Sequence, residues 1–170
     1  MAQLVVSFIG EDRPGIIDEM SQCIKAADAS WAASRLCRLA GKFSGILLIE
    51  VKPGQVQALT ETLKAMSKGA LTLLVENGND EETLVADTSI QVVGNDRPGI
   101  VKDIAGIFAA EGINVIELKT DVNSAPMSGT HLFEAIFKIA EKDANKREAV
   151  CSRIEALASD LMVEIKLIAH

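Results

Sequence analysis

The stretch VSFIGEDRPGII at residues 6–17 returns as IQVVGNDRPGIV at residues 90–101, at a constant offset of 84 residues. Six positions of the two stretches are identical, in the order Gly, Asp, Arg, Pro, Gly and Ile. Self-similarity at a fixed offset is typical of a structural unit that is repeated along the chain. The sequence therefore predicts two copies of one module in tandem.

The repeat continues into an amphipathic helix in each copy. Apolar residues follow the repeated stretch at i, i+1, i+4, i+7 and i+8, the spacing of one helix face. They are Ile16, Ile17, Met20, Cys23 and Ile24 in the first copy, and Ile100, Val101, Ile104, Ile107 and Phe108 in the second. We therefore expect helices over about 14–27 and 98–111 that bury the same face.

The other elements follow from apolar runs, helical spacing and turn residues. In the first copy they predict strands at 3–9, 31–39, 45–51 and 71–76 and a second helix at 56–66. In the second copy they predict strands at 88–94, 113–122, 131–140 and 161–168 and a second helix at 144–158. The order is βαββαβ in both copies.

This order predicts an α+β fold of two tandem ferredoxin-like modules, each an antiparallel sheet with both helices on one face. The polar and acidic residues between the copies predict a linker. We therefore assign residues 1–77 to the first module, 78–86 to an acidic linker and 87–170 to the second module. A longer connection at 123–129 replaces the short turn of the first copy.

Composition and charge limit the function. Hydrophobic residues make up 48% of the 170 residues and the net charge is −7, so a broad phosphate-binding surface and direct nucleic-acid binding are not expected. No segment is long and apolar enough to span a bilayer, and residue 1 leads into a strand pattern without a signal segment. The expected location is the cytoplasm, without membrane binding.

Cysteine and histidine usage points away from disulfides, metals and cofactors. The three cysteines Cys23, Cys37 and Cys151 form no CxxC pair, and their apolar surroundings predict buried, reduced thiols. His131 and His170 are far apart in the sequence, so no metal site is expected on them. We expect the chain to have no cofactor.

Two other functional classes fit poorly. The chain has no Ser/His/Asp or Cys/His set and no GxxxxGK[ST] phosphate loop, which argues against an enzyme. An RNA-recognition module shares the βαββαβ order but needs exposed aromatic residues on its central strands. The strand at 45–51 is aliphatic and the chain contains no tyrosine. Both classes are disfavoured.

The repeated loop between the first strand and the first helix contains the candidate binding residues. They are Gly10, Glu11, Asp12, Arg13, Pro14 and Gly15 in the first copy, and Gly94, Asn95, Asp96, Arg97, Pro98, Gly99 and Ile100 in the second. Each Asp precedes the second Gly by three residues, which predicts a side-chain cap on the helix start. Proline fits the first helical turn, and glycine permits close approach to the backbone.

Two interpretations of this loop remain open. The loop could be only a well-capped helix start that was duplicated with the module. Alternatively, the N–H groups and dipole of the helix receive a carboxylate, and Asp12 or Asp96 faces an ammonium group. Arg13 and Arg97 are expected to be solvated or paired with a nearby carboxylate, and Trp31 is expected to pack against the core or an interface.

Two modules with the motif Gly-x-Asp-Arg-Pro-Gly-Ile at the first strand–helix junction resemble ACT domains. The tandem arrangement is similar to the glycine cleavage system transcriptional repressor family. The resemblance covers nearly the whole chain. It implies a non-enzymatic protein that senses a small amino acid such as glycine or serine. Transcription would then be modulated through a protein partner such as an activator.

The resemblance also implies ligand contacts from the loop and from an Asn just after the first helix. In the second copy, Asn114 occupies that position in Gly-Ile-Asn, whereas the first copy has Ser30. A hydroxyl reaches less far than a carboxamide, so the better site is expected in the second copy. Open edge strands further predict a two-fold homodimer. The alternative function is a protein-interaction scaffold that binds no ligand.

Overall fold

The computed structural model describes residues 1–67, 71–79, 84–124, 131–157, 159 and 161–168. The chain divides into two compact units, Met1–Glu81 and Glu82–His170, and each is described by itself. The predicted linker bounds remain a prediction, since residues 80–83 lie outside the described part. Residues 125–130 of the long connection and His170 lie outside it as well.

The first unit contains four strands and two helices in the order βαββαβ. Its elements are β1 (Ala2–Glu11), α1 (Ile16–Ala26), β2 (Ser30–Leu39), β3 (Lys42–Val51), α2 (Val56–Met66) and β4 (Leu71–Asn77). A short 3-10 turn, Pro53–Gln55, leads into α2. The strands form one antiparallel sheet in the order β2-β3-β1-β4.

The second unit repeats this architecture. Its elements are β5 (Thr88–Asn95), α3 (Ile100–Ala110), β6 (Val115–Ser124), β7 (His131–Ile139), α4 (Ala144–Leu157) and β8 (Met162–Leu167). The sheet order is β6-β7-β5-β8, again antiparallel. The predicted fold of two ferredoxin-like modules is confirmed.

Each unit has its own apolar core between the sheet and its two helices. In the first unit, alternate residues of β1, among them Leu4 and Val6, are buried against the α1 stripe that includes Met20. In the second unit, Ile90 and Ile104 occupy the equivalent places. A fully buried side chain of this size stabilises the fold by about 1.5–3 kcal/mol, so period-2 strands and period-3.6 helices fix the packing.

The described helices are too short or too polar to cross a membrane. Trp31 is partly buried against the first core, as expected. Cys151 is buried, and desolvation, with a smaller contribution from Glu155, raises the pKa of its thiol to about 11. The prediction of a buried thiol is wrong for Cys37, which is exposed. It lies on an edge strand opposite Ser44, on the sheet face away from the helices.

Several element ends differ from the predictions, and β3 begins at Lys42 rather than at residue 45. Both first helices begin two residues later than expected, because Gly15 and Gly99 occupy the N-cap position with φ of 98° and 85°. Strand β6 begins at Val115 rather than at residue 113. The N–H of Ile113 still donates to the Phe108 carbonyl at 2.9 Å, so this residue closes the end of α3.

Close packing of β2 on β3 depends on Gly45. A Cβ added there would lie 2.5 Å from the Arg35 carbonyl oxygen and would also overlap the Leu36 side chain. We expect Gly45→Ala to lower the free energy of unfolding by about 1–3 kcal/mol, as overpacking does. Urea unfolding measures this change.

Gly54→Ala in the same unit is the matched control, because nothing lies within 4 Å of its added Cβ. Gly54→Ala should change the free energy of unfolding by no more than about 0.5 kcal/mol. Equal destabilisation by both substitutions would contradict the assigned contact between β2 and β3.

Candidate functional site

The first loop connects the central strand β1 to α1 in four residues. The N–H of Asp12 donates to the Gly41 carbonyl at 3.0 Å, which ties the loop to the turn between β2 and β3. The first helical hydrogen bond runs from the Glu19 N–H to the Gly15 carbonyl at 2.9 Å. The N–H groups that precede it have no acceptor one turn back in the helix, as in any helix start. The loop thus presents donors at its helix end.

The predicted side-chain cap does not form in either copy. The N-cap residues are Gly15 and Gly99, and neither helix has a side-chain cap hydrogen bond. A capping side chain belongs to the N-cap residue and accepts from the N–H two or three residues later, whereas each aspartate lies three residues before the N-cap glycine. Asp12 instead pairs with Arg38 of β2, with 2.5 Å between Nε and Oδ2. The capping prediction for Asp12 and Asp96 is therefore wrong.

Each loop arginine is tied to a carboxylate on the following helix. Arg13 binds both carboxylate oxygens of Glu19 at 2.6 Å. Arg97 binds Asp103 at 2.9 Å. Glu19 and Asp103 are related by the same offset of 84 residues, a signal that the sequence contained and that the sequence analysis missed. The pairing with a carboxylate that was expected for both arginines is present, and it fixes the loop.

The two loops differ in how the aspartate charge is compensated. In the second loop the N–H of Asp96 donates to the His131 carbonyl at 2.9 Å, much as Asp12 donates in the first. In the second unit, Val122 occupies the place that Arg38 has in the first. Arg38 pairs with Phe43 across the first sheet, and Val122 pairs with Phe133 across the second. Among the residues that the structure describes, the Asp96 carboxylate forms no ion pair. Its side chain is exposed.

A groove follows α1 in the first unit. A cavity of about 580 Å³ is lined by the loop from Asp12 to Gly15, by residues of α1 and by Phe43. A second cavity of about 510 Å³ continues along α1 to Trp31. The two share Asp18 and Ser21, so the loop and the start of β2 border one continuous surface. The sequence analysis did not identify Phe43 or Ser21.

The candidate residues after the helix occupy equivalent places. Asn114 is exposed and lies between the buried Ile113 and the start of β6. Ser30 is the exposed first residue of β2. In front of them, Gly112 and Asp28 both have positive φ, 67° and 52°. The helix end is thus preserved although Asp28 replaces glycine, which Asp tolerates better than most residues.

The remaining candidates divide between buried and exposed positions. Gly10 and Gly94 are buried in the central strands, and Glu11 pairs with Lys42. Pro14, Pro98 and Asn95 are exposed. The Ile100 side chain is 3% exposed within the second core, so only its backbone can face a ligand. Its N–H lies 3.4 Å from the Arg97 carbonyl.

Over the described residues, no group of three or more His, Cys, Asp or Glu side chains is arranged to hold a metal ion.

Residues 2–76 and residues 82–164 each match a family model described as ACT domain. The chain belongs to the ACT domain family. The glycine cleavage system transcriptional repressor of Escherichia coli (strain K12) is 26% identical over 168 residues, which cover 92% of this chain and 87% of the repressor. The Shigella flexneri protein of the same name matches with the same values.

Two solved structures share the tandem ACT fold over the whole chain. An unknown protein from Galdieria sulphuraria is 24% identical, with a TM-score of 0.84 and coverage of 99% of both chains. A protein provisionally named as a glycine cleavage system transcriptional repressor is 18% identical. Its TM-score is 0.73, and 99% of this chain and 98% of that chain are covered.

The ion pair between Arg13 and Glu19 should be detectable in the titration of the Glu19 carboxyl. The hydrogen bond from Arg13 lowers the pKa of the Glu19 carboxyl below its usual value of 4.5. Because the pKa of Glu19 is lower in the folded state, the ion pair stabilises the loop at pH values above the pKa that Glu19 has in the unfolded chain. This stabilisation is lost as the pH falls through the lowered pKa. We expect Arg13→Gln to raise the pKa of Glu19 in a carboxyl NMR titration.

Asp28 is the internal control for that titration, because the hydrogen bond from Lys52 lowers the pKa of its carboxyl independently of Arg13. Its titration should remain unchanged in the Arg13→Gln variant. An unchanged pKa of Glu19 in that variant would contradict the assigned ion pair.

Proposed function

We propose that this tandem ACT-domain protein is a non-enzymatic regulator that binds a small amino acid, of the glycine or serine type. Binding would modulate transcription through a protein partner, such as a transcriptional activator, in the cytoplasm. The proposal is supported by the match to ACT models over both modules and by the similarity to glycine cleavage system transcriptional repressors along the chain.

The observation that supports a site in the second module is the uncompensated Asp96. In the first loop the equivalent Asp12 carboxylate is neutralised by Arg38. In the second loop Val122 replaces that arginine, and Asp96 has no ion-pair partner in the described part of the chain. A carboxylate in this state is the better acceptor for the ammonium group of an amino acid, because no internal cation has to be displaced.

The start of α3 supplies the complementary half of the site. A zwitterionic amino acid also has a carboxylate, and helix N-termini stabilise anions through free N–H groups and the helix dipole. Arg97 is already paired with Asp103, so recognition of the carboxylate falls to the backbone rather than to a free guanidinium. Asn114 follows the other end of α3, about 16 Å along this 11-residue helix, so it would reach a ligand bound at Asp96 only from a second copy of the chain.

A protein partner fits the charge of the chain better than direct DNA binding. The net charge is −7, and operator binding requires a basic surface that neutralises phosphates. A regulator with this charge would act on transcription through another protein. The absence of a recognised catalytic set in the sequence fits the same role.

The first experiment is isothermal titration calorimetry of the full chain with each of the common amino acids. We expect glycine or serine to bind, and Asp96→Ala to weaken binding by about 10–100-fold, the value of a hydrogen-bonded charge contact. Asp12→Ala is the matched control from the other copy and should leave the affinity within about twofold. If Asp12→Ala loses binding and Asp96→Ala retains it, the site is in the first module instead.

A second pair of variants tests the residue after the helix. Asn114→Ala should weaken binding by about tenfold, whereas Ser30→Ala should have no effect. A thermal-shift assay serves as an independent readout, since a ligand at about 100 times its Kd stabilises the folded state by about 2.7 kcal/mol. If no amino acid binds at millimolar concentration, the protein is an interaction scaffold without this ligand.

A further inference from the structure

Strand β4 lies at the edge of the first sheet, with a neighbouring strand on one side only. The sheet order is β2-β3-β1-β4, so within the described residues β4 pairs with β1 alone. The N–H of Gly78 donates to the Gln3 carbonyl at 2.8 Å, which sets the alternation of hydrogen bonds along this antiparallel pair. Leu74 and Glu76 therefore bond to β1, whereas the N–H and C=O groups of residues 73, 75 and 77 point to the open edge.

The Leu73 amide agrees with this alternation. Its N–H donates to the Ser67 hydroxyl at 3.1 Å, on the side of β4 away from β1. Ser67 follows α2, so the chain itself closes the start of the edge. Farther along β4, the N–H groups of Val75 and Asn77 have no acceptor among the described residues. The open edge therefore has free donors at the spacing of a strand.

The other edge strands have features that hinder pairing with a further strand. The register of β2 on β3 shifts between Trp31 and Ala33, and that of β6 on β7 shifts between Val115 and Glu117, as in a β-bulge. Strand β8 contains Lys166. Bulges and lysines are common protections of exposed edges. Strand β4 has neither, because its register on β1 is continuous and its sequence, LTLLVEN, contains no Lys or Arg.

A cleft of about 620 Å³ lies beside this edge, between β4 and α2. Residues 75–77 of β4 border it on one side. Four polar residues of α2 border it on the other: Gln57, Thr60, Glu61 and Lys64. A strand added to β4 places alternate side chains on the helix side and the others on the opposite sheet face. The cleft has room for the helix-side set.

Two opposite charges at this edge are available to an added strand. Lys64 is exposed and borders the cleft on the helix side. Glu76 is exposed and alternates with the inward residues of β4, so its side chain is on the other sheet face. Neither forms an ion pair within the described part of the chain. The β4 of a second copy contains no cation that could neutralise Glu76 in any register, so the charges favour a different segment.

We propose that the edge of β4 binds an extended segment of a protein partner, which adds an antiparallel strand to the first sheet. Main-chain hydrogen bonds to Val75 and Asn77 provide affinity, and the alternate side chains provide specificity. The segment has a basic residue opposite Glu76 and, three residues later, an acidic residue on the side of Lys64. The docking site rests on the proposed function only in that a protein partner exists, and it does not depend on amino acid binding.

Nuclear magnetic resonance of the full chain tests the edge with a defined probe, the acetylated and amidated peptide Thr-Lys-Thr-Val-Glu-Val-Thr. In antiparallel pairing its lysine lies opposite Glu76 and its third residue lies opposite Val75. In the free chain the N–H groups of Val75 and Asn77 should exchange rapidly with deuterium, and those of Leu74 and Glu76 slowly. The probe should shift the Val75 and Asn77 amide resonances and slow the exchange of both at least about tenfold.

Methylation of the probe backbone separates strand addition from other modes of binding. N-methylation of the third residue removes the N–H that donates to the Val75 carbonyl, so it should weaken binding at least about tenfold. N-methylation of the fourth residue is the matched control, because that N–H points away from β4. The control peptide should bind within about twofold of the unmodified probe.

Charge reversal tests the contact with α2. Lys64→Glu should weaken binding of the probe about tenfold, and a probe with lysine in place of its glutamate should recover most of the loss. Lys25→Glu is the matched control, because Lys25 is the basic residue in the last turn of α1, as Lys64 is in α2. This variant should bind the unmodified probe as wild type does. Circular dichroism checks that both variants are folded.

Several outcomes overturn the proposal. Slow exchange of the Val75 N–H in the free chain shows that the edge is already covered, by another part of the chain or by a second copy. Strand addition at β4 is excluded if millimolar probe shifts neither Val75 nor Asn77, or if both N-methyl groups weaken binding equally. Unchanged binding to Lys64→Glu excludes the acidic residue beside α2. None of these outcomes alters the calorimetric test of amino acid binding, so the two proposals fail separately.

Discussion

The structure depends on one backbone constraint, which is the left-handed conformation of the glycine before each first helix. Gly15 and Gly99 have φ of 98° and 85°, values that residues with a Cβ rarely adopt. Their position lets the chain turn from the central strand onto the helix layer within four residues, and it sets the direction of the first helical N–H groups. The ties from Arg13 to Glu19 and from Arg97 to Asp103 then hold the loop in this geometry.

Duplication allows each copy to keep this geometry while changing its charges. Arg38 compensates Asp12 in the first copy, and Val122 leaves the equivalent carboxylate without that partner. On the sheets the ion pair is in the second copy instead, because Leu48 of the first copy corresponds to Lys138, which pairs with Glu117. The first copy therefore has a paired aspartate in its loop and Leu48 on its sheet, whereas the second has an unpaired Asp96 and an ion-paired Lys138.

The sequence predicted the fold well because both apolar periods and the constant offset indicate the same architecture. It failed where a position depends on contacts between distant residues. Asp12 has the spacing of a helix cap, but its partner Arg38 is 26 residues away and is brought near only by the antiparallel sheet. Cys37 lies in an apolar stretch, but the stretch does not reveal which face of an edge strand a residue occupies. Glu19 and Asp103 could have been found, because the repeat offset relates them directly.

The size of the proposed ligand limits the affinity that this loop can reach. Very small ligands gain at most about 1.5 kcal/mol per non-hydrogen atom, so glycine, with five such atoms, reaches about 7.5 kcal/mol. This corresponds to a Kd of about 3 µM as the tightest possible value. Asp96 and Asn114 are exposed, so water competes for their hydrogen bonds and the affinity must be weaker than this limit. An open site of this kind is suited to following a metabolite over the micromolar to millimolar range, whereas a site for tight retention would have to bury both charges of the ligand.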